Sequence, residues 1–290
     1  MSPGSKPIED SEVRSFIDQI LKTLDIDNID NFEYSTYEKT WRNWIASSSY
    51  NKIRGLDNFE HSAYLSGSTN AFPEFISRYP GRRIRVSKSD FILTKIVSRV
   101  QQRELLPLEE DVLSNNDCVI LSHPFSGNGR TLPDYQALLD VADKLNVPVM
   151  IDACYFTVGH GIDYDLTHIS IKEINFSLSK NYSLTNFRTG IRFTKEFIDD
   201  SIGATVKMGI FNKLSAMIGY QLLKQFSHDW FIEKYIPIYD QICAELKLEK
   251  TNTLSFAIAP DSWEQYKRGD YVRVCIAEEL SRQTKLPKLV

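Results

Sequence analysis

Hydrophobic positions near the start of the chain follow a helical rhythm. Val13, Phe16, Ile17, Ile20, Leu21 and Leu24 recur at spacings of three and four, which puts them on one face of a helix. Residues 25–60 mix Tyr34, Tyr37, Trp41, Trp44 and Tyr50 with polar residues, and predict an arm with short helical pieces. From residue 61 short apolar runs alternate with helical patterns. Ala63–Ser66, Ile84–Val86, Cys118–Leu121, Val147–Ile151, Ile174–Ser177 and Gly190–Thr194 read as strands, and Thr69–Arg78 and Pro133–Leu145 as helices, with Pro133 suited to a first turn. Such alternation predicts an α/β fold, a mostly parallel sheet with helices on both faces. Beyond residue 200 the chain turns helical, over Val206–Phe226 and Trp230–Leu248. Leu254–Ala259 and Tyr271–Ala277 read as strands of a smaller C-terminal α+β piece, and Arg282–Val290 as a helix end and tail. The expected division is a large domain over 61–228, an N-terminal arm over 1–60 and a small domain over 229–290. The arm is expected to join the smaller lobe or a partner subunit.

Composition narrows the class. The 290 residues suffice for a real core, and 42% hydrophobic with 25% charged residues is the balance of a globular protein rather than a disordered one. Lys and Arg number 34 against 38 Asp and Glu, a net charge of −4, so no basic surplus points to nucleic acid. Uncharged stretches fall short of a membrane span, and Met1–Ser11 lacks the apolar core of a secretory signal. Cys118, Cys154, Cys243 and Cys275 form no CxxC pair, which favours free thiols in a reducing, cytoplasmic compartment. The five histidines have no metal-ligand spacing, so no metal site is expected. Arg82, Arg83 and Arg85 read as a solvated charge cluster.

In an open α/β sheet, ligands bind at the carboxyl ends of the strands. Asp152 ends a buried apolar run and Tyr155 follows three residues on. Lys180, in Ser177-Leu178-Ser179-Lys180, sits just past another run, with Arg188-Thr189-Gly190 eight residues later. Gly67-Ser68-Thr69-Asn70 lies between a strand and a helix, where free N–H groups attract an anion, although Ser and Thr also cap helices for their own sake. Arg273 interrupts an apolar strand near the C-terminus. Each has an ordinary reading: a strand-end cap for Asp152, a solvated loop lysine for Lys180, an edge-strand arginine for Arg273.

The ordered set Asp152-x-x-Tyr155, Ser177-x-Ser179-Lys180 and Arg188-x-Gly190, with 28 residues from Asp152 to Lys180, resembles the fold-type I pyridoxal-phosphate enzymes. The class I/II aminotransferases of the aspartate aminotransferase superfamily are the nearest match, and this chain would be a short member. The resemblance implies pyridoxal 5′-phosphate, joined to Lys180 as a Schiff base, with Lys180 later moving the α-proton. It implies that Asp152 pairs with the pyridine nitrogen and that Tyr155 bonds the ring oxygen. Ser68, Thr69, Ser177 and Arg188 would hold the phosphate, a guanidinium fork suiting a dianion. Arg273 would grip the substrate α-carboxylate. The implied function is an aminotransferase exchanging an amino acid and a keto acid, in a homodimer to which an arm tyrosine (Tyr34, Tyr37 or Tyr50) contributes across the interface. The alternatives are a lyase, decarboxylase or cyclase on the same cofactor, or a catalytically degenerate partner protein.

The sequence departs from the family in the turn before the aspartate strand. Where the family carries Asn-Pro-x-Asn-Pro-Thr-Gly, this chain has Ser122-His123-Pro124-Phe125-Ser126-Gly127-Asn128-Gly129. The asparagine that bonds the ring oxygen aligns with Ser126, and Asn128 could replace it if the loop is shifted. Phe91 and His123 are the candidates for the ring stacked on the cofactor.

Overall fold

The computed structural model describes residues 4–182 and 184–283. In chain order its helices are α1 (Ser11–Thr23), α2 (Ile26–Asp30), α3 (Tyr34–Ala46), α4 (Ala71–Arg78), α5 (Ile92–Val100), α6 (Tyr135–Leu145), α7 (Ser201–Lys207), α8 (Lys213–Gln225), α9 (Trp230–Leu246) and α10 (Ala277–Gln283). Its strands are β1 (Lys52–Arg54), β2 (His61–Leu65), β3 (Arg83–Val86), β4 (Leu105–Pro107), β5 (Asp117–Ser122), β6 (Val149–Asp152), β7 (Asp163–Asp165), β8 (Ile171–Ser177), β9 (Gly190–Thr194), β10 (Glu249–Lys250), β11 (Phe256–Ile258), β12 (Lys267–Arg268) and β13 (Tyr271–Cys275). The tail expected over Arg282–Val290 lies outside the described residues beyond Gln283.

The main sheet has seven strands in the order β2-β9-β8-β6-β5-β3-β4. All run parallel except β9, which is antiparallel to both β2 and β8. Its central strands are buried on both faces, and alternation along each one divides two cores. Ile84, Val86, Cys118, Ile120 and Met150 pack with Phe72, Phe75 and Ile76 of α4. Val119, Leu121, Val149, Ile151, Ile174 and Phe176 face the larger core, which also takes in α6 and α8. A small antiparallel sheet, β10-β11-β13-β12, leans on α9, where the Tyr239 hydroxyl donates to Phe256 O at 2.9 Å. The expected mostly parallel sheet with helices on both faces and a smaller C-terminal α+β part is the observed architecture.

Four expectations need correction. The pattern over 206–226 is two helices, not one. Gly209, at φ 70°, takes a left-handed turn that closes α7, and Asn212 caps α8 by accepting from Ser215 N at 2.9 Å. Within the arm, α3 is a full helix of 13 residues carrying Tyr37, Trp41, Trp44 and Ile45 on its buried face. That helix packs on the main sheet rather than on the smaller lobe. The Tyr37 hydroxyl donates to Gly190 O at 2.8 Å, Trp41 meets Phe176, and Trp44 Nε1 donates to Phe226 O at 2.9 Å. Residues 6–10 do join the smaller lobe, through Lys6–Glu278 and a 2.8 Å bond from Glu9 N to Ser281 Oγ. Lastly, Arg85 is not solvated. It is fully buried, its Nη1 lies 3.0 Å from Asp117 Oδ2, and Arg83 shares the same carboxylate.

Candidate active site

Parallel pairing brings Leu65, Val86, Ser122, Asp152 and Ser177 to one edge of the sheet, and β9 begins there at Gly190, opposite both Leu65 and Ser177. Every candidate site residue between 61 and 228 lies at this edge or on a turn beside it. Arg273 comes to it from β13 of the small sheet.

A cavity of about 690 Å³ opens between the two parts. Ser126, Tyr155, Lys180 and Arg273 line it, with Phe91, Asp90 and Ser5. Lys180 Nζ donates to Ser5 Oγ at 3.0 Å and lies 5.2 Å from the centre of the Tyr155 ring. The Tyr155 hydroxyl donates to the same Ser5 oxygen at 3.0 Å. No carboxylate among the described residues forms an ion pair with Lys180 Nζ. Burial pulls the Lys180 amine down, but the neighbouring Tyr155 and Cys154 outweigh it and hold the group above its ordinary value. Arg273 is buried, donates to Ser126 O and lies over the Phe256 ring, 4.1 Å from its centre.

Asp152 sits behind this cavity, buried at the end of β6. Its Oδ1 accepts from Cys154 N at 3.2 Å, and Ser122 Oγ is 3.4 Å from its Oδ2. Burial pushes its carboxyl up to about 7, eased by the Ser68 hydroxyl and reinforced by the charge of Asp90. It has no basic partner among the described residues. Arg188 lies over the Gly67 turn, its Nε donating to Ser66 O at 2.9 Å and its Nη2 to Thr69 Oγ1 at 3.2 Å. Gly67 has φ 88°, and a Cβ there would collide with the Arg188 guanidinium, so this approach demands glycine. Ser177 Oγ is paired with Ser179 Oγ at 2.8 Å. The Cys154 thiol marks the centre of the group. Burial and the Asp152 carboxylate push it up to about 12, while Lys180, Ser68 and Arg188 all act to lower it.

The structure separates the two loop candidates. Ser126 lines the cavity, whereas Asn128 is buried in its own turn, its Oδ1 accepting from Arg130 N at 2.9 Å and its Nδ2 facing Ser89. Phe91 borders the cavity at the start of α5. His123 faces away, packed between Tyr135 and Tyr164, and burial pushes it down to about 3. Tyr34 and Tyr37 are held within the chain by Ser62 and Gly190, which leaves Tyr50 as the exposed arm tyrosine. Sequence reasoning missed Ser5 and Asp90. Asp90 carried a signal, an acid shortly after a predicted strand; Ser5 carried none. No helix among the described residues is long and apolar enough to cross a membrane.

The donor set fits a phosphorylated pyridine aldehyde. A guanidinium without a carboxylate partner among the described residues meets the Thr69 hydroxyl, a buried acid without a base ends a central strand, and a primary amine stands beside a phenol. The family model for class I and II aminotransferases matches residues 101–236. No curated protein matches the chain in sequence. An aminotransferase from Helicobacter pylori superposes with a TM-score of 0.71 at 15% identity, over 97% of this chain and 89% of that one. A PLP-bound C-S lyase from Staphylococcus hominis gives 0.68 at 11% identity, over 95% and 83%. L-threonine-O-3-phosphate decarboxylase from Porphyromonas gingivalis gives 0.62 at 15%, over 89% and 80%. At such identities the likeness is one of fold. The chain thus shares the fold of these enzymes, and its segment 101–236 matches the class I and II aminotransferase model.

Proposed function

We propose that the chain binds pyridoxal 5′-phosphate at Lys180 and acts as an aminotransferase on an amino acid with a free α-carboxylate. The observation that carries this reading is the shared cavity of Lys180, Tyr155 and Arg273, with Asp152 buried behind it. The bound cofactor supplies a ring that accepts the electron pair left when a bond to the α-carbon breaks. The chain does the rest. Arg188, Ser68, Thr69 and Ser177 would hold the phosphate, the guanidinium giving charge-assisted bonds. Asp152 would pair with the ring nitrogen and keep a proton there. Tyr155 would donate to the ring oxygen, with Ser126 rather than Asn128 as the second polar group within reach. Lys180 Nζ would be the base that takes and returns the α-proton. Arg273 fixes the carboxylate and so aligns the α-proton with Lys180. Residues 61–228 form the cofactor-binding domain, and 229–290 bring in Arg273. A cytoplasmic homodimer, with Tyr50 reaching the partner's phosphate site, completes the reading.

The solved folds above include a lyase and a decarboxylase, which makes the same residues on another bond the second reading. Product analysis separates the two. Incubation with an amino acid and a keto acid should yield a new amino acid and a new keto acid in equal amounts. Ammonia or carbon dioxide without a new amino acid would replace the aminotransferase by the second reading. Steady-state kinetics test Arg273. Arg273→Lys loses the planar two-point grip, a cost of about 1.5–3 kcal/mol, so KM for the amino acid should rise about 10–150-fold with a smaller change in kcat.

A further inference from the structure

Three strand ends meet beside Asp152. Ser122 and Asp152 are register partners on β5 and β6, and Asp90 lies beyond the end of β3, which pairs with β5. The Asp90 carboxylate accepts from Ser122 N at 3.0 Å, from Phe91 N at 2.6 Å and from the Ser122 hydroxyl. A hydroxyl has one proton to give. With that proton on the Asp90 side, Ser122 Oγ can offer only a lone pair to Asp152 Oδ2, 3.4 Å away. A carboxylate facing a lone pair gains nothing from it, whereas a carboxylic acid can donate to it.

We propose that Asp90 is a positioning residue of the cofactor site: it holds the Ser122 hydroxyl so that Asp152 meets an acceptor, and so keeps a proton on Asp152 before the cofactor arrives. The proposal rests on the reading of Asp152 as the group that faces the ring nitrogen. Cys154 N and the Ser68 hydroxyl favour the ionised form of Asp152, and burial with the charge of Asp90 outweighs them. Asp90 puts a negative charge one hydroxyl away from Asp152, and Glu109 adds to the charge around Asp90. The other titratable neighbours, Cys154, Tyr164 and His123, are neutral near pH 7, because burial pushes the thiol and phenol up and the imidazole down. Lys180 is directed to Ser5 and Tyr155. Burial raises both carboxyls, and the charge of Asp90 raises Asp152 further. On this geometry Asp152 holds a proton to share with the ring nitrogen, and none has to be drawn from water to a buried strand end.

Infrared titration of the full chain, before and after addition of pyridoxal phosphate, tests this. The carboxylic-acid band lost in Asp152→Asn reports Asp152. In the cofactor-free wild type it should persist up to about neutral pH and disappear when pyridoxal phosphate is added. Asp90→Asn removes the charge and should move the band's titration down by about one pH unit. Asp90→Ala also frees the hydroxyl proton for Asp152 and should move it further. If Asp90→Ala does not fold, Asp90→Asn carries the test alone. A band that titrates in the variants where it does in the wild type overturns the proposal. Normal shifts in the cofactor-free chain, with no spectral response to pyridoxal phosphate, would leave the coupling of Asp90 to Asp152 intact and overturn instead the reading of the site as a cofactor site.

Discussion

Lys180→Ala should have no measurable turnover while still taking up pyridoxal phosphate. On the proposed function the amine has two parts to play, as the anchor for the cofactor aldehyde and as the base at the α-carbon. General-base transfer alone is worth about 10²–10⁴-fold, and losing the anchor compounds it. No nearby group can take over. The other polar contacts of the amine are the Tyr155 ring, whose phenol burial holds above its ordinary value, and the Ser5 hydroxyl. Uptake should survive because the residues that hold the phosphate and the ring nitrogen are untouched, with Arg188 over the Gly67 turn and Asp152 at the end of β6. Steady-state rates together with equilibrium dialysis of the cofactor check both halves. A variant that keeps even a tenth of wild-type turnover contradicts the role given to Lys180.

Asp117→Ala should destabilise the fold by about 3–5 kcal/mol, a large share of the usual 5–15 kcal/mol. Asp117 opens β5 fully buried, and its two oxygens accept from Arg83 Nε at 2.7 Å, Arg85 Nη1 at 3.0 Å and Ser114 N at 2.8 Å. Arg83 can swing into water when the carboxylate is removed, but Arg85 cannot. Its remaining donors reach the carbonyls of Leu106, Pro107, Asp111 and Val112, which satisfy hydrogen bonds without neutralising the charge. The variant strands a guanidinium inside the sheet edge. Urea unfolding should show a lower midpoint at unchanged slope. Acid should act in the same direction. Burial raises the Asp117 carboxyl, but Arg83, Ser114 and Arg85 outweigh it and hold the group below its ordinary value. Its contribution is therefore complete above the unfolded carboxylate range and lost as pH falls through the lower folded value. A loss under about 1 kcal/mol would mean that Arg85 is compensated by the carbonyls alone.

The same arginine shows where sequence reading stops. Arg82, Arg83 and Arg85 look solvated because a charge run usually is, and nothing local names Asp117, 32 residues away, as the buried partner. The central strands were legible because β5 and β6 carry unbroken apolar runs, Cys118–Leu121 and Val149–Ile151. Asp152, Tyr155 and Lys180 stood out because they end a strand or follow one within three residues, where an α/β sheet keeps its chemistry, and Arg188 because it stands two residues before β9. Helix α5 carried a clear period, in Ile92, Leu93, Ile96, Val97 and Val100 on one face, and the reading passed over it; only Leu93 and Val97 of that face pack against the core. Helix α3 did carry its period, in Tyr37, Trp41, Trp44 and Ile45, but the polar residues between them masked it. The break at Gly209 depends on a positive φ that an isolated glycine does not announce. Contacts between separate strand ends, such as Asp90 with Ser122, and from the chain start, such as Ser5 with Lys180, exist only once the sheet is assembled.

The central claim is that Lys180 is the residue joined to pyridoxal phosphate. Absorbance of the purified protein with added cofactor, before and after borohydride, followed by peptide mapping, tests it most directly. The account predicts a visible band in the wild type, its loss in Lys180→Ala, and a reduced cofactor adduct on the peptide that carries Lys180. No band and no adduct, or an adduct on a different lysine, would contradict it.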